Sequence, residues 1–513
     1  MHAGQKLLIL DCGSQTTQLI ARRVRKLGVY CEVEPYGLPA EAIRAFAPIG
    51  VILSGGPQSV YAEGAPSPDP RLLELGVPVL GICYGMQWLA RRLGGEVVPG
   101  DRREYGPAEF KGDGACLLFH ALPESETVWM SHGDRVARLP PGFRVAGSSV
   151  EAPVAAMEEP RRRLYGIQFH PEVTHTPHGT AMLRNFLYGA CGAKGDWSMD
   201  SFVATACADL RARVGKERVL CAISGGVDSS VMALLLHRAV GDQLDLLFID
   251  HGLLRKEEAR LVEESFARKF HLKLRSVDAS ERFFRALRGV SDPEAKRKAV
   301  GRAFIEVFEE EAAALGEIRF LAQGTIYPDR IESAAVSGAA SVIKSHHNVG
   351  GLPERMRMEV VEPLRDLFKD EVRTLGRLLG LDEVFVRRQP FPGPGLAVRI
   401  LGEVCREDVA ILQEADAIFL EEIRAAGLYD EIAQAFAVLL PVRTVGVMGD
   451  GRTYDRVVAL RAVTTQDFMT ADWYRFEPDF LSRVAARIVN EVRGVNRVVY
   501  DVTSKPPGTI EWE

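Results

Sequence analysis

No run of apolar residues in this 513-residue chain approaches the ~20 that a membrane helix needs. The N-terminal stretch MHAGQKLLILDCG has too short an apolar core, and no basic flank, for a secretory signal. Excess positive charge is also missing. Lys and Arg number 63 against 69 Asp and Glu, a net charge of −6, so there is no basic field for tracking a nucleic-acid backbone. An anionic substrate must instead be held by local donors and a few cations. The eight cysteines, at 12, 31, 83, 116, 191, 207, 221 and 405, include no C-x-x-C pair. That argues against a zinc ribbon or a disulfide framework and for a reducing compartment. Repeats of fixed period and low-complexity tracts are absent too. The expectation is a cytoplasmic protein with no membrane and no nucleic-acid partner. Its 47% apolar and 26% charged residues are those of a globular chain, and its length predicts about three domains.

Strand and helix patterns alternate along the first third. KLLILDCG (6–13), YCEVEPYG (30–37), GVILSGGP (50–57) and VPVLGICYG (77–85) read as strands ending in Gly-bearing loops. TQLIARRVRKLG (17–28) and MQWLARRLGG (86–95) have helical spacing that stops at Gly. Near-continuous apolar strands alternating with helices predict a parallel sheet covered on both faces. From 101 to 170 the segments shorten and read as antiparallel strands. The small-residue patch YGACGAKGDWSMD (188–200) marks a boundary, after which a helix near 199–214 restarts the alternation. Strands follow at RVLCAISGG (218–226), LDLLFIDHG (244–252), LKLRSVDAS (272–280) and IRFLAQG (318–324), with a long charged helix at 293–315. The stretch 336–353 reads as a mobile loop, and RQPFPGPGL (388–396) as a stiff hinge. Beyond it, strands at 456–463 and 497–504 alternate with helices near 406–426 and 479–493. The predicted fold class is α/β, with two doubly wound parallel-sheet domains, 1–192 and 193–388, followed by an α+β domain, 389–513.

Gly81-Ile82-Cys83-Tyr84-Gly85 follows a strand and opens a helix. This is the spacing of a nucleophile elbow with Cys in place of Ser. Flanking glycines permit a strained turn that lifts the thiol out of the sheet, and the helix N-terminus beneath it favours thiolate. Backbone N–H groups at Tyr84 and in the second Gly turn, Ser54-Gly55-Gly56-Pro57, are candidate oxyanion donors. A thiolate also needs a base and a group to orient that base. His170-Pro171-Glu172 offers both at i and i+2. The roles expected are Cys83 attacking a carbonyl, His170 shuttling the proton and Glu172 holding the imidazole. His132, His175 and His178 compete for the base role, but none has an acid so placed in sequence. Taken alone, Cys83 is more commonly a core residue; the three motifs together favour catalysis.

A second constellation, Ser224-Gly225-Gly226-Val227-Asp228-Ser229-Ser230, joins an apolar strand to an apolar helix. Small residues let successive N–H groups face an anion, and the helix dipole adds positive character. The Ser224, Ser229 and Ser230 hydroxyls add donors. The Gly-Lys-Ser/Thr ending of a Walker A loop is missing, which disfavours γ-phosphate transfer of that type. Asp228 beside phosphates is repulsive without a cation, so it is the candidate ligand for Mg²⁺.

The first set, Gly-x-Cys-x-Gly followed by His-Pro-Glu, resembles the class I (triad) glutamine amidotransferases over about 1–190. The resemblance implies hydrolysis of the glutamine side-chain amide through a thioester, with Gln87 lining the glutamine pocket and residues 131–134 near it. The string SGGVDSS resembles the N-type ATP pyrophosphatases, which cleave ATP between the α- and β-phosphates. That likeness places Asp250 and Gly324, at strand ends, near the nucleotide. YPDRIES (327–333), IKSHHNVGG (343–351), PGPG (392–395) and the tail SKPPGTIEWE (504–513) then make the whole chain resemble the glutamine-hydrolysing GMP synthase family. The resemblance implies that ATP with Mg²⁺ adenylylates the C2 oxygen of xanthosine 5′-monophosphate (XMP) and that ammonia displaces AMP. Delivery of that ammonia must be shielded, because ammonium cannot attack. The resemblance also implies a lid at KSHHNVGG, a homodimer formed through the C-terminal domain, and XMP contacts from Lys505 and Glu511. Arg297 is a further XMP candidate, equally readable as one more solvated charge on its helix. A metal role for His346 and His347 lacks a third ligand at suitable spacing. Many members carry Asn where this chain has His251. Other glutamine-fed pyrophosphatases, such as NAD or asparagine synthetases, and a regulator with dead sites are the competing readings; the tail motif and the intact motifs argue against them.

Overall fold

The computed structural model describes residues 4–336, 358–448, 451–465, 468 and 470–513. Beyond Val336, the loop expected at 336–353, with His346, His347 and the anticipated lid, lies outside the described residues. The chain divides into two compact units, Met1–Ala206 with Pro328–Ala340, and Cys207–Tyr327 with Ser341–Glu513.

The first unit is built on one sheet. Its strands are β1 (Lys6–Asp11), β2 (Tyr30–Pro35), β3 (Gly50–Leu53), β4 (Val79–Ile82), β5 (Glu96–Gly112), β6 (Ser125–Arg138), β7 (Arg144–Ser149), β8 (Ala156–Glu159) and β9 (Leu164–Ile167). They lie in the order β2-β1-β3-β4-β9-β8-β7-β5-β6. From β2 to β9 every pairing is parallel, and from β9 to β6 every pairing is antiparallel. The inner parallel strands β1, β3 and β4 are apolar along nearly all their length because both faces are covered: Leu8, Leu10, Val51, Leu53 and Val79 pack with Met86 and Leu89 of the helix Tyr84–Arg92. In β6 the pattern changes to alternation, with Val128, Met130 and His132 buried at i, i+2, i+4. One polar side chain is thereby turned inward toward the functional end of the sheet.

The second unit contains a wholly parallel sheet of β10 (Val219–Ile223), β11 (Leu244–Asp250), β12 (Leu274–Asp278), β13 (Phe320–Ala322) and β14 (Glu359–Val361). Its order is β12-β11-β10-β13-β14. The chain leaves β10 toward one edge and returns on the other side, so the order reverses at β10. Such a reversal opens a crevice at the carboxyl end of the strand, and the Ser224–Ser230 segment occupies that end.

The C-terminal part is a second, mixed sheet of β15 (Gln434–Met448), β16 (Gly451–Thr464), β17 (Asp472–Trp473) and β18 (Val495–Tyr500). Helices Arg406–Ala425 and Pro478–Glu491 bury Leu412, Phe419, Val484 and Ile488 against Ala437, Leu439, Val458 and Leu460. The same core continues into Leu247, Phe283, Val300 and Phe308 of the parallel-sheet layer. Each fully buried Leu or Phe contributes roughly 1.5–3 kcal/mol, so this shared interior makes the two sheets one cooperative body. The Pro/Gly stretch 388–396 is stitched into it: Leu396 is fully buried, and its N–H donates to the Leu253 carbonyl at 2.8 Å.

All eight cysteines are free thiols. Among the described residues no helix is long and apolar enough to cross a membrane.

Where β11 ends, His251 stands at a position that burial makes unfavourable for charge. Its Nδ1 accepts the Leu253 N–H at 3.1 Å, which fixes the neutral ring. Burial pushes its pKa down to about 4 from 6.5. The unfolded chain therefore takes up a proton near pH 6.5 that the folded one refuses until about pH 4. Stability is full above the unfolded value and falls as pH drops through this window. His251→Asn keeps an acceptor for the Leu253 N–H and removes the titration. Denaturant unfolding at pH 7.5 and pH 5 is expected to show the native chain losing on the order of 2 kcal/mol more than the variant.

Candidate active sites

The elbow at Cys83 is a direct consequence of a parallel strand running straight into a helix. β4 ends at Ile82, the helix starts at Tyr84, and Cys83 between them adopts φ 52°, ψ −105°. For a non-glycine residue this backbone is strained by ~1–3 kcal/mol. The turn is so tight that a Cβ on Gly81 would lie 2.5 Å from the Gly85 carbonyl carbon, and one on Gly85 would lie 2.4 Å from the Leu53 carbonyl oxygen. Both elbow glycines are therefore required by close approach. Hydrogen bonds from Cys83 N–H to Ile167 (2.8 Å) and from Gly85 N–H to Ser54 (3.1 Å) hold the turn against the neighbouring strand ends.

His170 follows β9, the strand beside β4. Its Nδ1 donates to Glu172 Oε1 at 2.7 Å, leaving Nε2 for a thiol. Thr16 donates to the same carboxylate oxygen at 2.6 Å, and Arg23 donates to the Glu172 carbonyl at 2.7 Å. Glu172 Oε2 is buried and takes no hydrogen bond among the described residues. Burial opposes charge on His170, but the Glu172 carboxylate and the Cys83 sulfur outweigh it and raise the pKa from 6.5 to about 10. Cys83, His170 and Glu172 are thus brought together as expected from the sequence.

Two of the competing histidines do meet an acid, brought from elsewhere in the chain rather than placed beside them in sequence. His132 Nε2 lies 3.1 Å from Glu104 Oε2, and His178 Nδ1 lies 2.9 Å from Glu126 Oε2. Glu104 and His132 face each other across the β5–β6 ladder, a proximity that linear spacing does not display. Burial lowers the His132 pKa despite Glu104. His170 remains distinct because Cys83 and a carboxylate reach the same ring.

Around this triad, Gly55 is so close that a Cβ there would sit 3.1 Å from His170 Cε1. A Cβ on Gly56 would sit 3.3 Å from Tyr84 Cγ, so the Ser54–Pro57 turn lines the elbow. Tyr84 is the first residue of its helix, and its N–H has no intrahelical acceptor. Its hydroxyl donates to the Pro66 carbonyl at 2.6 Å, so Tyr84 offers its backbone rather than its ring. Gln87 donates to the Asp134 carbonyl at 2.8 Å and to Gln168 Oε1 at 3.3 Å. Gln168 in turn points its amide at Cys83 Sγ, 3.6 Å away. Sequence reasoning passed over Gln168, although it lies two residues before His170.

In the second unit, Ser224, Gly226 and Ser229 form a closed loop. Ser229 Oγ accepts the Ser224 N–H at 3.2 Å, and Ser224 Oγ accepts the Gly226 N–H at 3.3 Å. Val227 opens a helix to Val240 whose dipole points at the loop. Asp228 Oδ1 and Ser230 Oγ are buried with no hydrogen-bond partner among the described residues, while Asp228 Oδ2 pairs with Lys369. Gly324 faces the same place, its Cβ position 3.9 Å from Asp228 Cβ. Asp250 caps the Gly252 N–H at 2.8 Å; burial, with Asp278, Glu263 and Glu258 nearby, raises its pKa. Lys369, 141 residues from Asp228, carries no motif of its own and was not found from sequence. Among the described residues no cluster of three or more His, Cys, Asp or Glu side chains is arranged to hold a metal.

The tail residues are heavily engaged. Glu511 accepts from Arg399 at 2.8 and 3.1 Å and from Gln434 at 2.6 Å. Lys505 Nζ donates to the Phe468 carbonyl at 2.7 Å. Arg297 donates to the Glu513 carbonyl, so it is no free solvated charge. Its neighbour Lys296 is fully buried and bonds the Ile400 carbonyl and Glu513 Oε2, both at 2.6 Å. Arg461, also buried, donates to the carbonyls of Thr503, Thr509 and Ile510 at 2.8–3.0 Å.

The chain is similar to known proteins over almost its whole length. Residues 8–190 match the family model for glutamine amidotransferase class-I, and residues 421–512 match that for the GMP synthase C terminal domain. A Rhizobium etli protein described as GMP synthase [glutamine-hydrolyzing] is 59% identical over 511 residues, covering 99% of this chain and 98% of that protein. Proteins of the same description from Bartonella quintana and Bradyrhizobium diazoefficiens are 59% and 58% identical over 510 and 515 residues. They cover 99% and 100% of this chain, and the match spans 98% and 94% of theirs. The chain belongs to the glutamine-hydrolysing GMP synthase family. It is accordingly an enzyme, a ligase with a class-I glutamine amidotransferase module in its N-terminal part.

Glu172 is the group whose loss the His170 ring should feel most. Glu172→Gln is expected to lower glutamine hydrolysis by about a hundredfold. Because the carboxylate raises the His170 pKa, the alkaline limb of the pH–rate profile should also move to lower pH. An unmoved limb, measured as glutamate release from pH 6 to 10.5, would contradict the assigned role.

Proposed function

We propose that this enzyme converts XMP to GMP, using ATP and the amide nitrogen of glutamine, and that residues 1–192, 193–388 and 389–513 are its amidotransferase, ATP pyrophosphatase and C-terminal domains. The observation that carries this reading is the presence, in one chain, of a Cys83–His170–Glu172 triad and a Ser224–Ser230 anion loop. With the proton of the thiol already held on His170, Cys83 attacks the glutamine carboxamide carbon, and His170 gives that proton to departing ammonia. N–H groups of Tyr84 and the Gly55-Gly56 turn stabilise the tetrahedral oxyanion, and water hydrolyses the thioester to glutamate. Gln87 shapes the pocket through Gln168 and the Asp134 carbonyl.

At the second centre, the loop N–H groups and the Ser224, Ser229 and Ser230 hydroxyls hold the β- and γ-phosphates of ATP, with Gly324 and Asp250 bordering the nucleotide. The C2 oxygen of XMP attacks the α-phosphorus and pyrophosphate leaves; ammonia then adds at C2 and AMP departs. Lys369 stands beside Asp228 as a cation for the leaving phosphates. Mg²⁺ fits here, since it is usually held by one or two carboxylates plus phosphate oxygens and Asp228 Oδ1 is buried without a hydrogen bond; when bound, it neutralises phosphate charge. Lys505 holds the XMP phosphate with donors not spent on Phe468, and Arg297 and Glu511 border the same substrate. A homodimer through the C-terminal sheet is supported by the β15–β16 ribbon, where Val442, Val445, Val447 and Tyr454 are exposed. The free thiols agree with a cytoplasmic setting.

Cys83→Ala is expected to abolish GMP formation from glutamine while formation from ammonium salt stays within about twofold of the parent. Equal loss with both nitrogen sources would contradict two separate centres. Asp228→Ala, by contrast, should remove activity with either source by ~100-fold or more and leave glutamate release from glutamine measurable. Retained AMP formation in that variant would exclude the metal role.

A further inference from the structure

One buried cation of the second unit has no part in the scheme above. Arg388, at the start of the 388–396 stretch, has a side chain only 14% exposed and forms an ion pair with Glu258, itself 7% exposed. Its second terminal nitrogen donates to the carbonyl oxygen of Gly225 at 2.6 Å. Gly225 has φ +70°, and a Cβ there would lie 3.0 Å from Arg388 Nη1 and 2.9 Å from Val262 Cγ2, so the side chain is packed under the loop. Glu258 is fixed in its turn: its other oxygen accepts the Arg255 N–H at 3.0 Å. The next residue, Gln389, donates to the Ile432 carbonyl at 2.9 Å and accepts the Ala435 N–H at 2.9 Å. The base of Arg388 is therefore anchored in the β15 layer, while its guanidinium reaches the anion loop.

We infer that Arg388, held by Glu258, is a positioning residue for the ATP loop: it ties the Gly225 carbonyl down so that the loop presents only N–H and hydroxyl donors to the phosphates. In a planar trans peptide, C=O and N–H point in opposite directions. Fixing the Gly225 carbonyl on Arg388 therefore turns the Gly226 N–H toward the mouth, where Ser224 Oγ accepts it at 3.3 Å. A carbonyl released from Arg388 is free to swing its negative end toward the phosphates, which costs binding. The planar fork of Arg serves the carboxylate and the carbonyl together; the single ammonium of Lys cannot reach both.

This inference rests on the proposed ATP chemistry, and its test separates the two. The full-length enzyme is assayed with XMP and ammonium salt, so the Cys83 site is not involved, and thermal midpoints are recorded alongside. Arg388→Lys keeps the pair with Glu258; it is expected to keep the midpoint and raise the KM for ATP about tenfold, with the KM for XMP within twofold. Arg388→Met/Glu258→Gln removes both buried charges; it should also keep most of the stability and show the same rise for ATP. If ATP KM is unchanged in both variants, or if ATP and XMP KM rise together in step with lost stability, Arg388 is merely structural and the inference is wrong. If the parent enzyme forms no AMP from ATP and XMP, the proposed reaction fails instead, independently of Arg388.

Discussion

A parallel strand that feeds into a helix must turn its backbone hydrogen-bonding groups from across the sheet to along the helix axis within a few residues, and both candidate sites are built on that constraint. At β4 the turn is so abrupt that Cys83 takes a strained conformation, with glycines at either side where backbone meets backbone. At β10 the turn takes a longer loop, with the positive φ placed on Gly225 and the cap on Gly226. The consequence is common to both. The first N–H groups of a helix, which cannot be satisfied within it, are left facing outward at the carboxyl end of a sheet. One set lies beside a thiol, the other beside a cluster of hydroxyls. The difference lies in what surrounds them: an imidazole and a carboxylate in the first, a Lys–Asp pair and a buried Arg–Glu pair in the second.

Charge is managed locally rather than globally. The chain carries net −6, so attraction of an anion by the overall field is unavailable, and cations must be fixed where they are needed. Several of those near the second centre and the tail are buried and committed to protein partners. Arg399 engages Glu511, Lys296 engages Glu513, and Arg461 gathers three carbonyls of the tail with Asp501. A buried cation whose partner is removed is costly, which makes the last few residues of the chain structural. Arg388 and Glu258 apply the same principle beneath the anion loop.

Legibility from the sequence followed chain contiguity. Cys83, Tyr84 and Gln87 sit on one strand–helix step, His170 and Glu172 two residues apart, and Ser224–Ser230 on one loop; each set is short enough that spacing alone fixes its geometry. The alternating parallel elements were equally readable, because strands buried on both faces announce themselves by composition. Cys83 and His170 are far apart, but each sits in a motif; what was not legible is a meeting of two distant segments of which at least one carries no motif. Glu104 meets His132 only through the β5–β6 register, which shifts just before that pair, between Pro99 and Glu104. Lys369 meets Asp228 across 141 residues, and Arg388 meets Gly225 across 163. The 388–396 stretch read as a hinge because Pro and Gly usually punctuate exposed chain. Here the same residues let backbone lie close under Leu253, where a Cβ on Gly395 would come within 2.3 Å of its carbonyl oxygen.

The proposed reaction also explains why two centres are needed rather than one. The thioester at Cys83 must be hydrolysed, so that site has to admit water and keep an imidazole ready to activate it. An adenylylated oxygen at the second centre is lost if water reaches it before ammonia does. The two sites are accordingly different in kind. The first couples a histidine to a sulfur and a carboxylate, a combination suited to moving protons. The second offers fixed donors and a paired lysine, suited to stabilising phosphate charge without proton transfer. A single pocket cannot be wet for one step and dry for the next without moving its walls. Separate turns on separate sheets meet both demands within the same local backbone solution.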